Sequence, residues 1–328
     1  MTSVADLADA LAEAPVAPSF TRLGYGLRAR LDAWRPLDSY PLHDRVVVLT
    51  GATSGLGLAA ASQLNALGSS LVLLGRNERK LAAVRERLSR GGSDEAGGRI
   101  DTVVADMGDL EAVRVAAETI LARHPRVDTL VHNAGALSDR RLVAPDGTEM
   151  TVASQVLGPF LLTGLLMDRL VDSAPARVLT MSSGGMYAAG LTVDGLQMGE
   201  SDYRGAEQYA RAKRAQVTLT EIWAQRHADS GVVFHSLHPG WADTPGVRTS
   251  LPTFRRLTGP FLRSPEQGAD TMVWLVADDE ALKASGLFWH DRRPRPTHRL
   301  PQTRATDTPQ RRSELWEWCL SRTGLSDG

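Results

Sequence analysis

The sequence has little cysteine and no long apolar run. Its 328 residues include one cysteine, Cys319, which cannot form an internal disulfide, so we expect a protein of the reducing cytoplasm. The first residues lack the basic start and the apolar stretch of a secretory signal. The longest apolar stretch, Val156–Met167, is shorter than the roughly 18 residues that span a bilayer and contains Gly158 and Pro159. We interpret it as a buried helix.

An excess of charge of either sign is also missing. Lys and Arg number 37 and Asp and Glu number 38, so the charge balance indicates no nucleic acid or other polyanionic partner. The hydrophobic content of 42% is that of an ordinary globular protein and excludes a disordered or fibrous chain. No internal repeat is visible.

Short apolar runs alternate with amphipathic segments from residue 45 to residue 290. The runs are rich in Val and Leu without clean alternation, as in parallel strands that are buried on both faces. Strands that alternate with helices indicate right-handed βαβ units. We therefore predict an α/β fold: one Rossmann-like, doubly wound parallel sheet of about seven strands with helices on both faces. The predicted strands are Arg45–Thr50, Leu71–Leu74, Ile100–Val104, Val127–His132, Arg177–Met181, Val232–Leu237 and Leu287–His290.

Two extensions flank this predicted domain of residues 45–293. In residues 1–44, apolar side chains recur at helical spacing with arginines between them: Phe20, Leu23, Leu27, Leu31 and Trp34, with Arg22, Arg28, Arg30 and Arg35. Such a helix can contact a membrane surface through residues 20–35, but docking on its own core or an oligomer contact, with solvated arginines, is favoured. Residues 294–328 are rich in Arg, Pro and Thr and end in a short helix, which favours a solvated tail over a nucleic-acid contact.

A glycine-rich turn, Thr50–Gly57, joins the first predicted strand to a helix. Small residues let the backbone turn tightly and approach a pyrophosphate, and the N-terminus of the helix offers free N–H groups to an anion. The spacing, with glycines at 51, 55 and 57, differs from G-x-G-x-x-G and from the P-loop. A glycine-rich turn without a ligand is the alternative.

The end of the second predicted strand, Gly75-Arg76-Asn77, carries a cation where an acid would bind a ribose 2′-hydroxyl. A cation there can pair with a 2′-phosphate, so we predict NADP(H), with NAD(H) second. A solvated arginine that opens a helix is the alternative interpretation of Arg76.

Two candidate reacting residues, Tyr209 and Lys213, are four positions apart and so share one helix face. An ammonium, together with the charge of an oxidised nicotinamide, lowers the pKa of a phenol, which can then exchange a proton with a carbonyl or alcohol oxygen. Ser182 and Ser183 follow a predicted strand, and a serine at that end of a parallel strand faces the ligand crevice. A capping serine is the alternative there.

Together these motifs resemble the short-chain dehydrogenase/reductase family, and within it the retinol-dehydrogenase-like branch. The turn T-G-x-x-x-G-x-G, the Y-x-x-x-K pair and the stretches Ser182–Met186, His238–Arg248 and Gln267–Leu275 carry the resemblance, which spans about residues 20–300. The resemblance implies Ser183, Tyr209 and Lys213 as catalytic residues. It also implies a set of cofactor contacts: Gly51, Thr53, Ser54, Gly55, Leu56, Gly57, Arg76, Asn77, Asp106, Met107, Asn133, Ala134, Gly135, Tyr209, Lys213, Pro239, Gly240, Trp241 and Thr244.

One position departs from the family pattern. The family's catalytic asparagine in N-x-x-G reads Gln155 here, followed by Val156, Leu157 and Gly158. The amide is the same but its stem is longer, so the proton relay that the family builds on this residue is in question.

The resemblance implies hydride transfer between NADP(H) and a carbonyl or secondary alcohol. The apolar residues of the expected substrate loop, Leu251, Phe254, Leu257 and Phe261, favour an apolar substrate. No metal is expected, because His235 and His238 lack a third ligand. A protein that binds NADP(H) as a sensor or scaffold without turnover is the alternative function, and a homo-oligomer is possible.

Overall fold

The computed structural model describes residue 9 and residues 16–91, 98–250 and 252–327. Within these ranges eight strands form one sheet in the order β3-β2-β1-β4-β5-β6-β7-β8. All neighbouring strands from β3 to β7 are parallel, which confirms the predicted Rossmann-like sheet. The strands are β1 Val46–Thr50, β2 Ser70–Gly75, β3 Ile100–Val104, β4 Thr129–His132, β5 Ala176–Met181, β6 Val232–Leu237, β7 Leu287–His290 and β8 Arg293–Arg295.

The eighth strand, β8, was not predicted. It is antiparallel to β7 and lies at the edge of the sheet, where Pro294 is tolerated because its missing N–H faces away from the ladder. Asp291 and Arg292 join the two strands with φ values of 54° and 55°, as in a tight hairpin turn. An Arg- and Pro-rich segment carries no apolar signal of a strand, so only the turn and the edge position account for it.

Helices cover both faces of the sheet and form two apolar cores. The helices are α1 Val16–Phe20, α2 Arg22–Leu31, α3 Gly55–Ala66, α4 Glu78–Gly91, α5 Leu110–Arg123, α6 Met150–Asp172, α7 Gly205–Arg226, α8 Pro245–Ser250, α9 Pro252–Thr258, α10 Pro265–Ala277, α11 Pro301–Thr306 and α12 Pro309–Thr323. One core involves α3, α4 and α10, and the other involves α5, α6, α7 and α12. Short 3-10 turns occupy Leu37–Ser39, Gly184–Ala188, Gly259–Phe261 and Asp279–Lys283.

The start of α10 follows directly from its sequence. Ser264 accepts a hydrogen bond from the backbone N–H of Gln267, and the Gln267 side chain accepts one from the N–H of Ser264. This reciprocal pair is a capping box, and Pro265 occupies the first helical position.

The apolar helix α6 is buried, as predicted, but is longer than the sequence suggested. It spans 23 residues and is long and apolar enough to cross a membrane, yet 78% of its most apolar window is buried inside the protein. Its residues Ala153–Leu157 form a π-helical turn. This turn carries Gln155 and places it behind the carboxyl ends of the strands.

The N-terminal extension docks on the domain through a face that the apolar pattern did not predict. In α2, Leu23 and Leu27 are exposed, whereas Arg28 is completely buried. The Arg28 guanidinium donates to Asp9 at 2.8 Å and to Asp291 at 2.6 Å. The expectation of solvated arginines is therefore wrong for Arg28, because two carboxylates satisfy its charge inside the protein.

The C-terminal extension also packs on the domain. Leu315 and Trp316 of α12 are buried, and the Trp316 ring lies 4.9 Å from Phe160 and 4.7 Å from Trp223. Arginines in this extension are ion-paired: Arg295 with Asp9, and Arg312 with Asp307 and Glu221. The solvated-tail interpretation is wrong for these residues, because α12 packs on an apolar surface of α6 and α7 and the arginines are ion-paired.

Candidate active site

The glycine-rich turn lies between β1 and α3, where the spacing places it. Gly51 and Gly55 have φ values of 70° and 53°, a left-handed conformation that favours glycine. A side chain at Gly57 would collide with the carbonyl oxygen of Gly51. Ser54 is the residue before the first turn of α3, so free backbone N–H groups of a helix start open onto the turn. The turn is suited to hold an anionic group such as a pyrophosphate.

The segment after β4 supports this turn. The Asn133 side-chain amide donates to the carbonyl oxygens of Thr50 and Gly51 at 3.1 and 3.3 Å. The backbone N–H groups of Asn133 and Ala134 both donate to the Thr50 hydroxyl at 3.0 Å. Asn133 and Ala134 thus lie where the resemblance places them, and they hold the turn in its open shape.

The end of β2 exposes the predicted cationic side chain. Arg76 is 78% exposed, and its guanidinium lies 3.9 Å from the carboxylate of Asp106. Asp106 also accepts a hydrogen bond from the N–H of Gly108 at 2.9 Å. The Asn77 oxygen accepts from the N–H of Lys80 at 3.0 Å and so caps α4. Arg76 is therefore exposed beside Asp106 at the end of β2, whereas the Asn77 oxygen caps the helix.

Three further predicted cofactor contacts are Thr53, Leu56 and Met107. Met107 is buried. Leu56 is partly buried and packs against Gly268, and Thr53 lies beside Gly75.

The segment Pro239–Thr244 follows β6 and returns to the turn. A Cβ built on Gly55 would lie 3.4 Å from the Thr244 Cβ, so the two segments touch. The Trp241 N–H donates to the carbonyl oxygen of Phe20 at 2.7 Å. The predicted cofactor segment is therefore attached to the N-terminal extension.

Ser183 and Tyr209 come together at the carboxyl end of β5. The Ser183 hydroxyl accepts a hydrogen bond from the N–H of Gly185 at 3.2 Å, so it also caps the 3-10 turn that follows. Tyr209 is partly exposed on α7. Desolvation raises the pKa of Tyr209 to about 12, and a hydrogen bond with Ser183 opposes this rise. The two hydroxyl groups can bind one substrate oxygen between them.

Lys213 lies one helical turn after Tyr209, as predicted, and its side chain is buried. The ammonium donates to the carbonyl oxygen of Met181 at 2.8 Å and to Oε1 of Gln216 at 2.9 Å, and it lies 5.2 Å from the centre of the Tyr209 ring. Burial lowers the pKa of Lys213 to about 7. Burial thus raises the pKa of Tyr209 and lowers that of Lys213, and the expected lowering of the Tyr209 pKa by Lys213 and an oxidised nicotinamide stays a prediction.

We expect Lys213→Met to change how stability depends on pH. The folded protein releases the Lys213 proton near pH 7, whereas the unfolded chain holds it up to its ordinary value of 10.5. Raising the pH through this interval therefore stabilises the wild-type protein, by up to about 1.4 kcal/mol per pH unit, and leaves the variant unaffected at this site. Chemical denaturation between pH 6 and 10.5 measures the difference.

The control for this experiment is Lys283→Met. Lys283 is exposed and paired with Glu280 at 2.6 Å, which raises its pKa, so its removal should not alter the slope over the same interval. Parallel pH curves for wild type and Lys213→Met would show that Lys213 is protonated and well solvated at pH 7.

Gln155 is completely buried and contacts the loop after β4. Its Nε2 donates to the carbonyl oxygen of Ala136 at 2.8 Å, and a Cβ on Gly135 would lie 2.9 Å from its Oε1. The longer stem of glutamine is accommodated by this close approach to Gly135. In the structure Gln155 is thus part of the site's inner wall, and no hydrogen bond between it and Lys213 is present among the described residues.

Sequence reasoning missed one aromatic residue beside the site. Phe20 was assigned only to the N-terminal helix, yet a Cβ on Gly184 would lie 2.8 Å from its ring. The same ring makes edge contacts with His238 at 4.3 Å and Trp241 at 5.9 Å. No local pattern marks Phe20, because the contact depends on how the extension docks.

The histidines at the end of β6 have structural partners, as predicted. His235 Nε2 lies 2.8 Å from the carbonyl oxygen of Ala281, and His238 Nδ1 accepts from the N–H of Gly184 at 3.2 Å. Among the described residues no group of three His, Cys, Asp or Glu side chains could hold a metal ion.

The apolar substrate loop can be followed only in part. Leu251 lies outside the described residues, and the side chains of Phe254 and Leu257 are not described. Phe261 is 49% exposed. An apolar substrate therefore stays a prediction.

Known proteins resemble this chain in sequence and in fold. A family model described as short chain dehydrogenase matches residues 45–253. The human protein "Dehydrogenase/reductase SDR family member 12" is 37% identical over 274 residues, which are 83% of this chain and 84% of that one. Mouse "Retinol dehydrogenase 14" is 31% identical over 76% of this chain and 78% of its own. The solved structure of an uncharacterized protein from Mycobacterium paratuberculosis has a TM-score of 0.70 at 24% identity, covering 90% of this chain and 99% of that chain.

Proposed function

The chain belongs to the short-chain dehydrogenase/reductase family, and from that premise we propose that it transfers a hydride between NADP(H) and a carbonyl or secondary alcohol. The oxidoreductase class follows from the family. The proposal rests on one observation: Ser183, Tyr209 and Lys213 meet at the carboxyl end of β5. The glycine turn follows the carboxyl end of β1, on the same side of the sheet.

The residues present fit a nicotinamide dinucleotide. The turn at Gly51 and Gly57 has no side chains in the way, and α3 begins directly behind it. The turn would hold the pyrophosphate, and Lys213 would hold the nicotinamide ribose, since an ammonium has three donors and two are directed at Met181 and Gln216. The nicotinamide supplies the hydride chemistry.

The chain's own residues handle the substrate oxygen and its proton. Ser183 orients the oxygen by a hydrogen bond, and Tyr209 donates the proton to a carbonyl or removes it from an alcohol. Because desolvation holds the pKa of Tyr209 at about 12, phenolate formation needs additional positive charge beside the ring.

Arg76 supports NADP(H) over NAD(H). Its exposed guanidinium at the end of β2, with Gly75 in place of an acid, suits a 2′-phosphate and offers nothing specific to a 2′-hydroxyl. We expect NADPH to bind more tightly than NADH, and Arg76→Glu to weaken NADPH binding about 10- to 100-fold, the usual range for a lost charge-assisted pair. NADH binding should change little.

A fluorescence titration with both nucleotides tests this prediction. Arg87→Glu is the matched control, since Arg87 is an exposed arginine further along α4 and should leave both affinities unchanged. Equal affinities of the wild-type protein for NADPH and NADH would contradict the assignment of Arg76. Failure to bind either nucleotide would contradict the proposed function itself.

We also propose an apolar substrate. The Phe20 ring packs beside Gly184 and against Trp241, next to Ser183, and Phe261 of the expected substrate loop is exposed. A relative at 31% identity is named for retinol, an apolar alcohol. A carbonyl screen should therefore begin with large apolar ketones and aldehydes.

The alternative is an NADP(H)-binding sensor without turnover. Gln155 favours it, because its amide is committed to Ala136 in the place where the family has a catalytic asparagine. A sensor would bind NADPH and depend on Arg76, but it would have no rate for Tyr209 to support. The Tyr209 variant described in the Discussion separates the two functions.

A further inference from the structure

A small buried cavity lies behind the catalytic helix, on the inner side of Lys213. Its volume is about 30 Å³, and its walls come from α6, α7 and the central strands. Several of its lining groups are polar: His132, Gln155, Thr163 and Gln216. A polar lining is unusual between two packed helices and a sheet, where apolar side chains would fill the space.

Gln216 joins this cavity to Lys213. It is buried, lies three residues after Lys213 on the same face of α7, and accepts the ammonium at 2.9 Å through Oε1. An ammonium can only donate, so the oxygen of the amide must face Lys213 and the Nε2 must face away. Within the described part of the chain this Nε2 has no hydrogen-bond partner.

Gln155 has the complementary arrangement across the cavity. Its Nε2 donates to the carbonyl oxygen of Ala136, which can only accept, so Oε1 is the remaining polar atom of the amide, and it lies beside Gly135. That Oε1 is likewise buried without a partner among the described residues. The cavity therefore has one unsatisfied donor, from Gln216, and one unsatisfied acceptor, from Gln155.

A water molecule fits both the space and the chemistry. A cavity needs about 10–15 Å³ to hold one water, and the water needs polar partners, both of which this cavity offers. His132 supplies a further ring nitrogen, Nδ1, while its Nε2 lies 2.8 Å from the Thr163 hydroxyl.

We propose that Gln216 is a positioning residue for Lys213, held in orientation by a water bound between Gln216 and Gln155. The carbonyl oxygen of Met181 and Oε1 of Gln216 fix two of the three N–H directions of the ammonium, which leaves the third for a ligand on the Tyr209 side. A role of Gln216 in catalysis rests on the proposed function. The contacts of Gln216 with Lys213 and with the water do not depend on it.

The titration of Lys213 reports this contact directly. The chain contains three lysines, Lys80, Lys213 and Lys283, so protein labelled with 13C at the lysine ε carbon gives three signals. Lys80 and Lys283 are exposed, the hydrogen bond with Glu280 raises the pKa of Lys283, and the Lys213→Met spectrum identifies the Lys213 signal by its loss. Two described titratable groups lie near this site: Tyr209, whose ring centre is 5.2 Å from the Lys213 ammonium, and His132, which lines the cavity that Gln216 also borders.

We expect Gln216→Leu to lower the pKa of Lys213 by about one pH unit, because it removes an acceptor from the charged form. Gln216→Glu should raise that pKa by one pH unit or more, because a carboxylate replaces the amide. Gln208→Leu is the matched control: Gln208 is an equally buried glutamine of α7, but it bonds to Leu196 and Met198. Its removal should leave the pKa of Lys213 unchanged.

The outcomes separate the proposals. An unchanged Lys213 pKa in Gln216→Leu, or in Gln216→Glu if the leucine variant does not fold, overturns the positioning role. A high-resolution crystal structure without water density between Gln155 and Gln216 overturns the bridging water. In an active enzyme the pH at which kcat changes should move with the Lys213 pKa while KM changes less. If the Gln216 variants shift the Lys213 pKa but the protein turns over no substrate, the oxidoreductase proposal is contradicted and the positioning of Lys213 by Gln216 is retained.

Discussion

Tyr209→Phe should lower kcat by about 10²- to 10⁴-fold and leave NADPH binding unchanged. General acid–base catalysis by a positioned side chain contributes a factor of this size, and the variant removes only the phenol oxygen. The ring stays in place on α7, so Lys213 keeps its contacts with Met181 and Gln216. Steady-state kinetics with a carbonyl substrate, beside an NADPH titration of the same preparation, measure both quantities.

The control for this experiment is Tyr203→Phe. Tyr203 is also partly exposed, and its hydroxyl contacts Glu149 at 3.1 Å, but no lysine follows it by four residues. We expect its removal to leave kcat within the range of the wild-type protein. Should Tyr209→Phe keep the full rate, the acid–base role belongs to another group. If wild type and variant both bind NADPH and neither turns over any carbonyl, the sensor function is favoured.

The second large effect concerns stability. We expect Asp291→Asn to lower the free energy of unfolding by about 3–5 kcal/mol, the usual result of breaking a buried ion pair on one side. The Asp291 carboxylate is completely buried between Arg28 at 2.6 Å and Arg263 at 2.5 Å, and both guanidinium groups are buried as well. These cations hold the pKa of Asp291 far below its ordinary value despite burial. Asparagine also tolerates the positive φ at this position, so the backbone is spared.

An exposed arrangement of the same kind provides the control. Asp243 also pairs with two arginines, Arg248 and Arg255, each at 2.9 Å, but all three side chains are partly or largely solvent-exposed. Asp243→Asn should therefore cost at most about 1 kcal/mol. Urea denaturation measures the free energy of unfolding of both variants, each of which loses one negative charge. A loss of similar size in both would show that burial of the Asp291 network adds nothing.

The Asp291 network also holds the N-terminal extension next to the candidate active site. Arg28 and Asp9 come from the extension, and Asp291 comes from the turn between β7 and β8. Phe20, beside Gly184 and Trp241, is held in position by this docking. Destabilising the network should consequently loosen the wall of the site as well as the fold.

The sheet and the order of the site residues could be predicted because they are local signals. Apolar runs such as Ile100–Val104 and Val232–Leu237 became strands with unchanged bounds, since a parallel strand buried on both faces needs a continuous apolar segment. The glycine turn could be placed because its spacing is a property of consecutive residues. The contact between Gln216 and Lys213 could also have been predicted from the sequence, because a residue three positions after Lys213 shares its helix face.

Other features involve residues far apart in the chain, which no periodicity records. Arg28 looked like a solvated arginine of an amphipathic helix, and its burial depends on Asp291, which is 263 residues away. The pKa values of Tyr209 and Lys213 depend on desolvation by the packed protein, which the spacing of the two residues does not record.

By itself, the sequence determined the α/β class, the order of the strands along the chain and the position of the glycine turn, because each is a property of neighbouring residues. The roles of Ser183, Tyr209 and Lys213 stay a prediction that the family resemblance implies. Only the tertiary structure decided which arginines are buried, that Phe20 borders the site, and that Gln155 and Gln216 face one cavity. Burial and dielectric environment are properties of the assembled fold, since they depend on every element packed around a group and not on its neighbours in the chain.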